Sequence, residues 1–309
     1  MRVLVLAGGL SPERDVSLRS GRRVAEALRL ARPDWEVAEA DVDAQLLDTL
    51  TRRAPDVVVP LLHGAAGEDG SLRDLLDALG IAYVGTDGAG GRLAFDKPVA
   101  STLVRGAGIA VPDFLVLPQA TFRELGAARV MSAIGAHIGF PLVVKPTRGG
   151  SALGVAIVHS EAELPAALVG AFSYADTAMI QAFVAGTEIA AGVIDIDGLP
   201  TALPLVEIVP DGALYDYNAR YTAGTTEFFC PARVDDTVAA RVQEVALRAH
   251  ALLGLRHLSR TDVIVDAAGT VSFLETNAAP GMTETSLLPQ ALAAAELDAG
   301  ETIAQIIAR

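Results

Sequence analysis

The opening of the chain sets the strongest constraint on its fold. Residues 2–7, RVLVLA, are an apolar run that ends in Gly8-Gly9 and passes into helical apolar spacing from about Val16 to Leu30. The pattern recurs with DVVVPLL at 56–62, a Gly-rich loop, a helix around Leu72–Leu79 and a short strand at Ile81–Val84. Apolar strands that alternate with helices pair in parallel and are covered on both faces. The first part of the chain is therefore read as a parallel α/β domain. Its opening run is too short for a signal-peptide core and counts as a strand.

Near residue 97 the character changes. A helix around Pro98–Ala107 leads to expected strands at Ala110–Leu117 and Pro141–Lys145. A small polar turn over 147–154 follows, then a strand at Val155–Val158, a helix at Glu161–Phe172 and a strand at Ala178–Val184. Beyond Glu188 come long apolar strands, a polar loop at 211–227 and a helix at about 235–253. Strands at 261–266 and 271–276 and a terminal helix over Glu301–Ile307 complete the pattern. The 309 residues allow two or three domains. No run of about 18 apolar residues exists, so no membrane-spanning helix is expected. The net charge of −14 argues against nucleic acid or an anionic membrane as partner. The single Cys230 excludes an internal disulfide and fits a reducing cytoplasm.

Only two of the 24 basic residues are lysines, Lys97 and Lys145. A lysine is a compact charge on a flexible stem, suited to a phosphate. Lys145 ends a strand and precedes a loop holding Gly149, Gly150 and Gly154. There is no G-x-x-x-x-G-K-[ST], so the loop is not a P-loop. Strand, glycine loop, strand is the order of a hairpin flap over phosphates, or of a hairpin with no ligand. Glu275 and Asn277 sit two apart and share a strand face, with Asp262 on a neighbouring strand. Two carboxylates and an amide oxygen are hard ligands that suit Mg²⁺ beside a nucleotide. A merely solvated strand end is the plainer alternative.

Pro280 and Gly281 could fix a turn whose N–H groups meet an oxyanion, or form an ordinary turn. Arg260, on the face of Asp262, could stabilise the same charge or pair locally. His63 ends a parallel strand, where α/β ligand sites lie. Glu13 precedes a helix and could serve its N-terminus or a substrate ammonium.

Taken in order, these segments resemble the D-alanine–D-alanine ligases of the ATP-grasp superfamily. The matching stretches are GGLSPERDVSLRSG (8–21), LLHGAAGEDGSLRDLLDALGIAYVG (61–85), FDK (95–97) and VVKPTRGGSALGV (143–155). They continue through YDYNARY (215–221), FFCPA (228–232), SRTDVIV (259–265) and FLETNAAPGMTETSLLP (273–289). The resemblance implies an ATP-grasp fold, with an N-terminal parallel α/β domain over 1–97 and two α+β domains, 98–184 and 185–309, clasping ATP. It implies a cytoplasmic enzyme of peptidoglycan precursor synthesis, in which ATP phosphorylates the carboxylate of one D-alanine and the amine of a second attacks the acyl phosphate.

Carried over by position, Lys97, Lys145, Gln181, Phe183, Val184, Glu188 and Arg220 would bind ATP. Asp262, Glu275 and Asn277 would hold Mg²⁺, or Mn²⁺ in its place. Glu13, Ser151, Tyr221, Arg260 and Gly281 would form the catalytic set, and His63, Ser286 and Leu287 would bind substrate. A homodimer is implied. Several positions depart from the pattern: Arg220 stands where Lys is usual, Gln181 where Glu is usual and Ala182 where Lys is common, with milder changes at Thr276, Ala278 and Ala279. Another acceptor, such as D-lactate, D-serine or a secondary-metabolite amine, is the nearest rival, and a non-catalytic nucleotide-binding relative the next. A dinucleotide oxidoreductase lacks its G-x-G-x-x-G after Leu6.

Overall fold

A computed structural model describes residues 1–196, 198–212, 215 and 224–308, with the side chain of Ala66 left aside. The expected parallel sheet is formed by β1 (Arg2–Ala7), β2 (Glu36–Asp41) and β3 (Val57–Pro60), in the order β2-β1-β3. Alternate residues of β1 serve two cores. Val3 and Val5 pack with Val24 and Leu28 of the helix Arg14–Ala31. Leu4 and Leu6 pack with Leu50, Leu72 and Leu76 on the other face. The segment expected as a strand at Ile81–Val84 makes a single parallel bridge, Val58 to Tyr83.

The middle of the chain builds an antiparallel sheet from β4 (Phe114–Pro118), β5 (Leu142–Pro146), β6 (Ala156–Val158) and β7 (Thr177–Ala182), in the order β4-β7-β5-β6. β5 and β6 are the two arms of the expected glycine-loop hairpin. Leu142, Val144 and Ile180 face one way, into a core with Leu164, Leu168 and Ala171 of the helix Leu164–Phe172. By the two-residue period of a strand, Val143, Lys145 and Gln181 face the other way. β4 begins four residues later than expected, because Ala110 instead accepts a hydrogen bond from the N–H of Phe273, 2.9 Å away.

The last sheet contains β8 (Thr187–Ile194), β9 (Thr201–Ala202), β10 (Val206–Pro210), β11 (Thr226–Phe229), β12 (Leu258–Val265) and β13 (Val271–Asn277). Its main path is β11-β10-β8-β12-β13, all antiparallel, with β9 beside β8. Ile189, Ala191, Val193 and Val263 bury one face against Val242 and Ala246 of the helix Asp236–Leu252. The other face carries Glu188, Arg260, Asp262 and Ile264. It confronts the free face of the middle sheet across a cleft. The helices Gly88–Phe95 and Lys97–Gly106 pack on Phe273 of β13 and deliver Lys97 to the cleft.

Candidate active site

The cleft between the two antiparallel sheets has a volume of about 460 Å³. Val143 and Ile157 wall it from one sheet, and Ile208, Ile264 and Leu274 from the other. Such flat apolar walls suit an aromatic base. Gln181, Phe183, Val184 and Glu188 line the same cleft, with both lysines. Lys145 is 7% exposed, and burial lowers its pKa to about 8, with Lys97 acting in the same direction and Glu275 and Glu188 opposing. Two buried ammonium groups near one another need an anion, which a polyphosphate supplies. The lining thus fits a nucleoside triphosphate.

A smaller cavity of about 70 Å³ adjoins this cleft and shares Lys97, Gly149, Gly150, Tyr215 and Glu275 with it. Glu13, His63, Ser151, Arg260, Asn277, Gly281, Ser286 and Leu287 line the smaller space. The glycine hairpin roofs both cavities and is tied down by side chains from the first part of the chain. Lys97 Nζ donates to the Gly149 carbonyl at 2.6 Å. Arg148 Nε donates to Asp96 at 3.0 Å. The Ser151 hydroxyl donates to the Glu13 carboxylate. A Cβ at 150 would stand 2.9 Å from both Glu13 oxygens, so any residue but glycine would have to displace that carboxylate.

Antiparallel pairing assembles the acidic corner. Asp262 lies opposite Glu275, and Arg260 opposite Asn277. A bulge after Asp262 leaves Leu274 without a partner, and both Leu274 and Glu275 reach the cleft. Arg260 grips Asp262 through two bonds of 2.8 Å. Lys97 Nζ stands 3.2 Å from Glu275. Asn277 Oδ1 accepts the Ala279 N–H at 2.8 Å, which shapes the turn toward Gly281. Among the described residues no three acidic, His or Cys side chains converge on one point. The donor set is instead two carboxylates and an amide oxygen on adjacent strands, hard donors that fit a magnesium ion.

His63 is buried behind the Gly281 turn, and burial, aided by the Arg260 charge, lowers its pKa to about 4. It is a neutral imidazole at physiological pH. Ser286 Oγ accepts the Thr283 N–H at 3.0 Å and precedes the helix Leu287–Ala294, so the Ser286–Leu287 step sits at a helix N-terminus facing the smaller cavity.

The chain matches the family described as D-ala D-ala ligase C-terminus over residues 103–308. It is 39% identical to the D-alanine–D-alanine ligase of Moorella thermoacetica over 307 residues, 99% of this chain and 98% of that protein. It is 41% identical to that of Halalkalibacterium halodurans over 292 residues, 94% of this chain and 93% of that one. This chain belongs to the D-alanine–D-alanine ligase family. Its fold is similar to the ATP complex of the ligase from Bacillus anthracis, with a TM-score of 0.81, 29% identity and coverage of 100% and 96%. It is also similar to the D-Ala:D-Ser ligase VanG from Enterococcus faecalis, with a TM-score of 0.82, 26% identity and coverage of 99% and 98%. The ATP-grasp architecture expected from the motifs is therefore the observed one.

Sixteen of the eighteen residues singled out from the sequence line the two adjoining cavities. The remaining two, Arg220 and Tyr221, lie outside the described residues. Tyr215 and Glu68 are among the lining residues that carried no expectation. Tyr215, inside the YDYNARY motif, is 4% exposed and lines both cavities. Glu68, in the GEDG loop, is 7% exposed and lines the smaller one. Burial, and next the Glu13 charge, pushes its pKa up to about 8. Its setting is tight, since a Cβ at Gly67 would collide with the Leu62 carbonyl, a contact that the sequence does not signal.

Proposed function

We propose that this chain is an ATP-dependent ligase that joins two D-alanines into D-alanyl-D-alanine for peptidoglycan precursors. The observation that carries this is the continuity of the two cavities through Lys97, Gly149, Gly150 and Glu275. A triphosphate end in the larger space would meet a small amino acid in the smaller one.

In this reading Gln181, Phe183, Val184 and Glu188 hold the base and sugar, with Lys97, Lys145 and Arg220 on the phosphates. Asp262, Glu275 and Asn277 would hold Mg²⁺, which screens phosphate charge when bound. Glu13 receives the ammonium of the first D-alanine, with His63 beside it. An oxygen of that substrate's carboxylate takes the γ-phosphoryl group, and ADP leaves. Ser286 and Leu287 orient the second D-alanine by its carboxylate. Its neutral amine attacks the acyl carbon, the C–N bond forms, phosphate departs and the amine sheds a proton. Arg260 and the Gly281 N–H stabilise the oxyanion that develops. Ser151 and Tyr221, together with Glu13, keep the hairpin closed so that water does not hydrolyse the acyl phosphate.

The domain division we favour is 1–97, 98–184 and 185–309, supported by the three sheets falling one in each range. The helix Lys97–Gly106 sits at the first boundary and packs on the last sheet. We assign the enzyme to the cytoplasm, where ATP is supplied, and expect a homodimer, checked by light scattering. No helix of the described residues is long and apolar enough to cross a membrane.

The test is mass spectrometry of products made from ATP and D-alanine, with D-lactate and D-serine as competitors. D-alanyl-D-alanine should dominate at neutral to alkaline pH, where more of the amine is unprotonated. Tyr221→Phe should gain relative use of D-lactate. Mainly ester from the unmutated protein, or no product from D-alanine, would overturn the reading.

A further inference from the structure

Gln181 has a buried amide nitrogen that the fold does not use. It is 2% exposed, and its Nε2 has no hydrogen-bond partner among the described residues. A buried donor left unpaired is costly, and native structures rarely keep one without a purpose. Its direction follows from the register. Gln181 pairs with Phe114 on one side and Val143 on the other. Ile180 and Val144 fill the core beneath the sheet, so Gln181 and Val143 project into the cleft that they line. There the side chain stands beside the apolar walls Val143, Ile157 and Leu274.

The chemistry of an amide differs from that of a carboxylate in one respect that matters here. A carboxylate offers acceptors only, whereas an amide offers an acceptor and two N–H donors. A half-turn about the last side-chain bond exchanges the two ends. Adenine presents an amino donor at C6, which Oε1 can accept. A 6-oxopurine presents a carbonyl at C6, which Nε2 can meet. A glutamate at this position would face that carbonyl with like partial charge.

We propose that Gln181 broadens base recognition in this cleft, so that the protein takes 6-oxopurine nucleotides as well as adenine nucleotides. The inference rests on reading the cleft as the nucleotide site of a ligase. Hypoxanthine is the cleaner probe, because guanine adds a 2-amino group that needs further room.

The test is calorimetric titration of the unmutated protein, Gln181→Glu and Gln181→Met with ADP and with IDP. The unmutated protein should bind the two within about tenfold of each other. Gln181→Glu should widen the preference for ADP at least tenfold, mainly by weakening IDP. Gln181→Met, close in size but without the amide, should weaken both. A preference of the unmutated protein above a hundredfold overturns the proposal. So does a ratio unchanged in Gln181→Glu, binding of neither nucleotide, or unaltered affinities in Gln181→Met should the Glu variant not fold. Phosphate release from ATP with D-alanine is followed on the same preparations. Its absence removes the ligase reading, while the ADP to IDP ratio still decides the role of Gln181.

Discussion

A carboxyl buried beside a second carboxyl holds its proton well above the usual range. Glu68 is such a group, raised from 4.5 to about 8 by burial and then by Glu13. The folded chain therefore binds more protons than the unfolded one between those values, and stability falls as pH rises through them. His63 acts with the opposite sign. Its pKa falls from 6.5 to about 4 on burial, so its effect raises stability with pH and is complete above about 6.5. Between pH 7 and 8 Glu68 is the one of this pair still titrating, and its own contribution falls by about 1 kcal/mol there, while Lys145, lowered from 10.5 to about 8 by burial, contributes with the opposite sign over the same interval. Urea midpoints at the two pH values measure this. Glu68→Gln isolates the carboxyl: between the two pH values the unmutated protein should lose about 1 kcal/mol relative to the variant, and equal changes in both would refute the assignment. Glu275 tests the acidic corner. Glu275→Gln should lower turnover at limiting Mg²⁺ by tenfold or more, about 1.4 kcal/mol in the barrier, and normal turnover there would exclude Glu275 as a ligand. Glu275 was legible in the sequence because a carboxylate and an amide two apart on an apolar strand must share a face. Glu68 was not, because its acidic loop reads as solvated until the packing of Gly67 and Gly70 is seen.

At the scale of elements, legibility followed burial. The strand β1 is apolar from Val3 to Ala7 because it lies at the centre of its sheet and is covered on both faces. The edge strand β2, EVAEAD, and the helix Leu46–Arg53 went unread, since an edge strand keeps charges along its exposed side. The helix Ala127–Ile138 was missed for a similar reason, as Ile134 is its one buried residue and Gly135 interrupts its apolar spacing. The glycine hairpin was legible because its loop carries the glycines that a close approach needs. Gly150→Ala tests that approach. Its methyl group would press on the Glu13 carboxylate and lift the hairpin from the smaller cavity. We expect a higher KM for the first D-alanine and at least a tenfold loss in kcat/KM. The urea midpoint should hardly change, because the loop is peripheral to the cores. Normal kinetics would show that the hairpin does not seal the site in this way.

At the scale of the whole molecule, the site exists only because distant parts of the chain face each other, which no local pattern specifies. Alternation identified which residues share a face of each antiparallel sheet, but not which faces confront one another across the cleft. Nor did it reveal that the first and last parts of the chain share a core. Val24 and Leu28 pack with Leu288, Leu292, Ile303 and Ile307. Arg32 pairs with Glu301 at the rim of that contact. The helix Ala299–Ile307 approaches the helix Arg14–Ala31 so closely at Gly300 that a Cβ would stand 2.5 Å from the Ala27 carbonyl oxygen. Gly300→Ala must therefore part the two helices, and overpacking of this kind costs about 1–3 kcal/mol. The loss should appear in the urea midpoint. Affinity for ADP, measured per folded molecule, should stay the same, because the nucleotide cleft lies between the other two sheets. Turnover should fall modestly if at all, since Glu13 is held at the other end of its helix, far along the chain from Ala27. Unchanged stability would mean that the two helices slide apart freely, and that the terminal helix is a cover for the first sheet instead of a fixed part of its core.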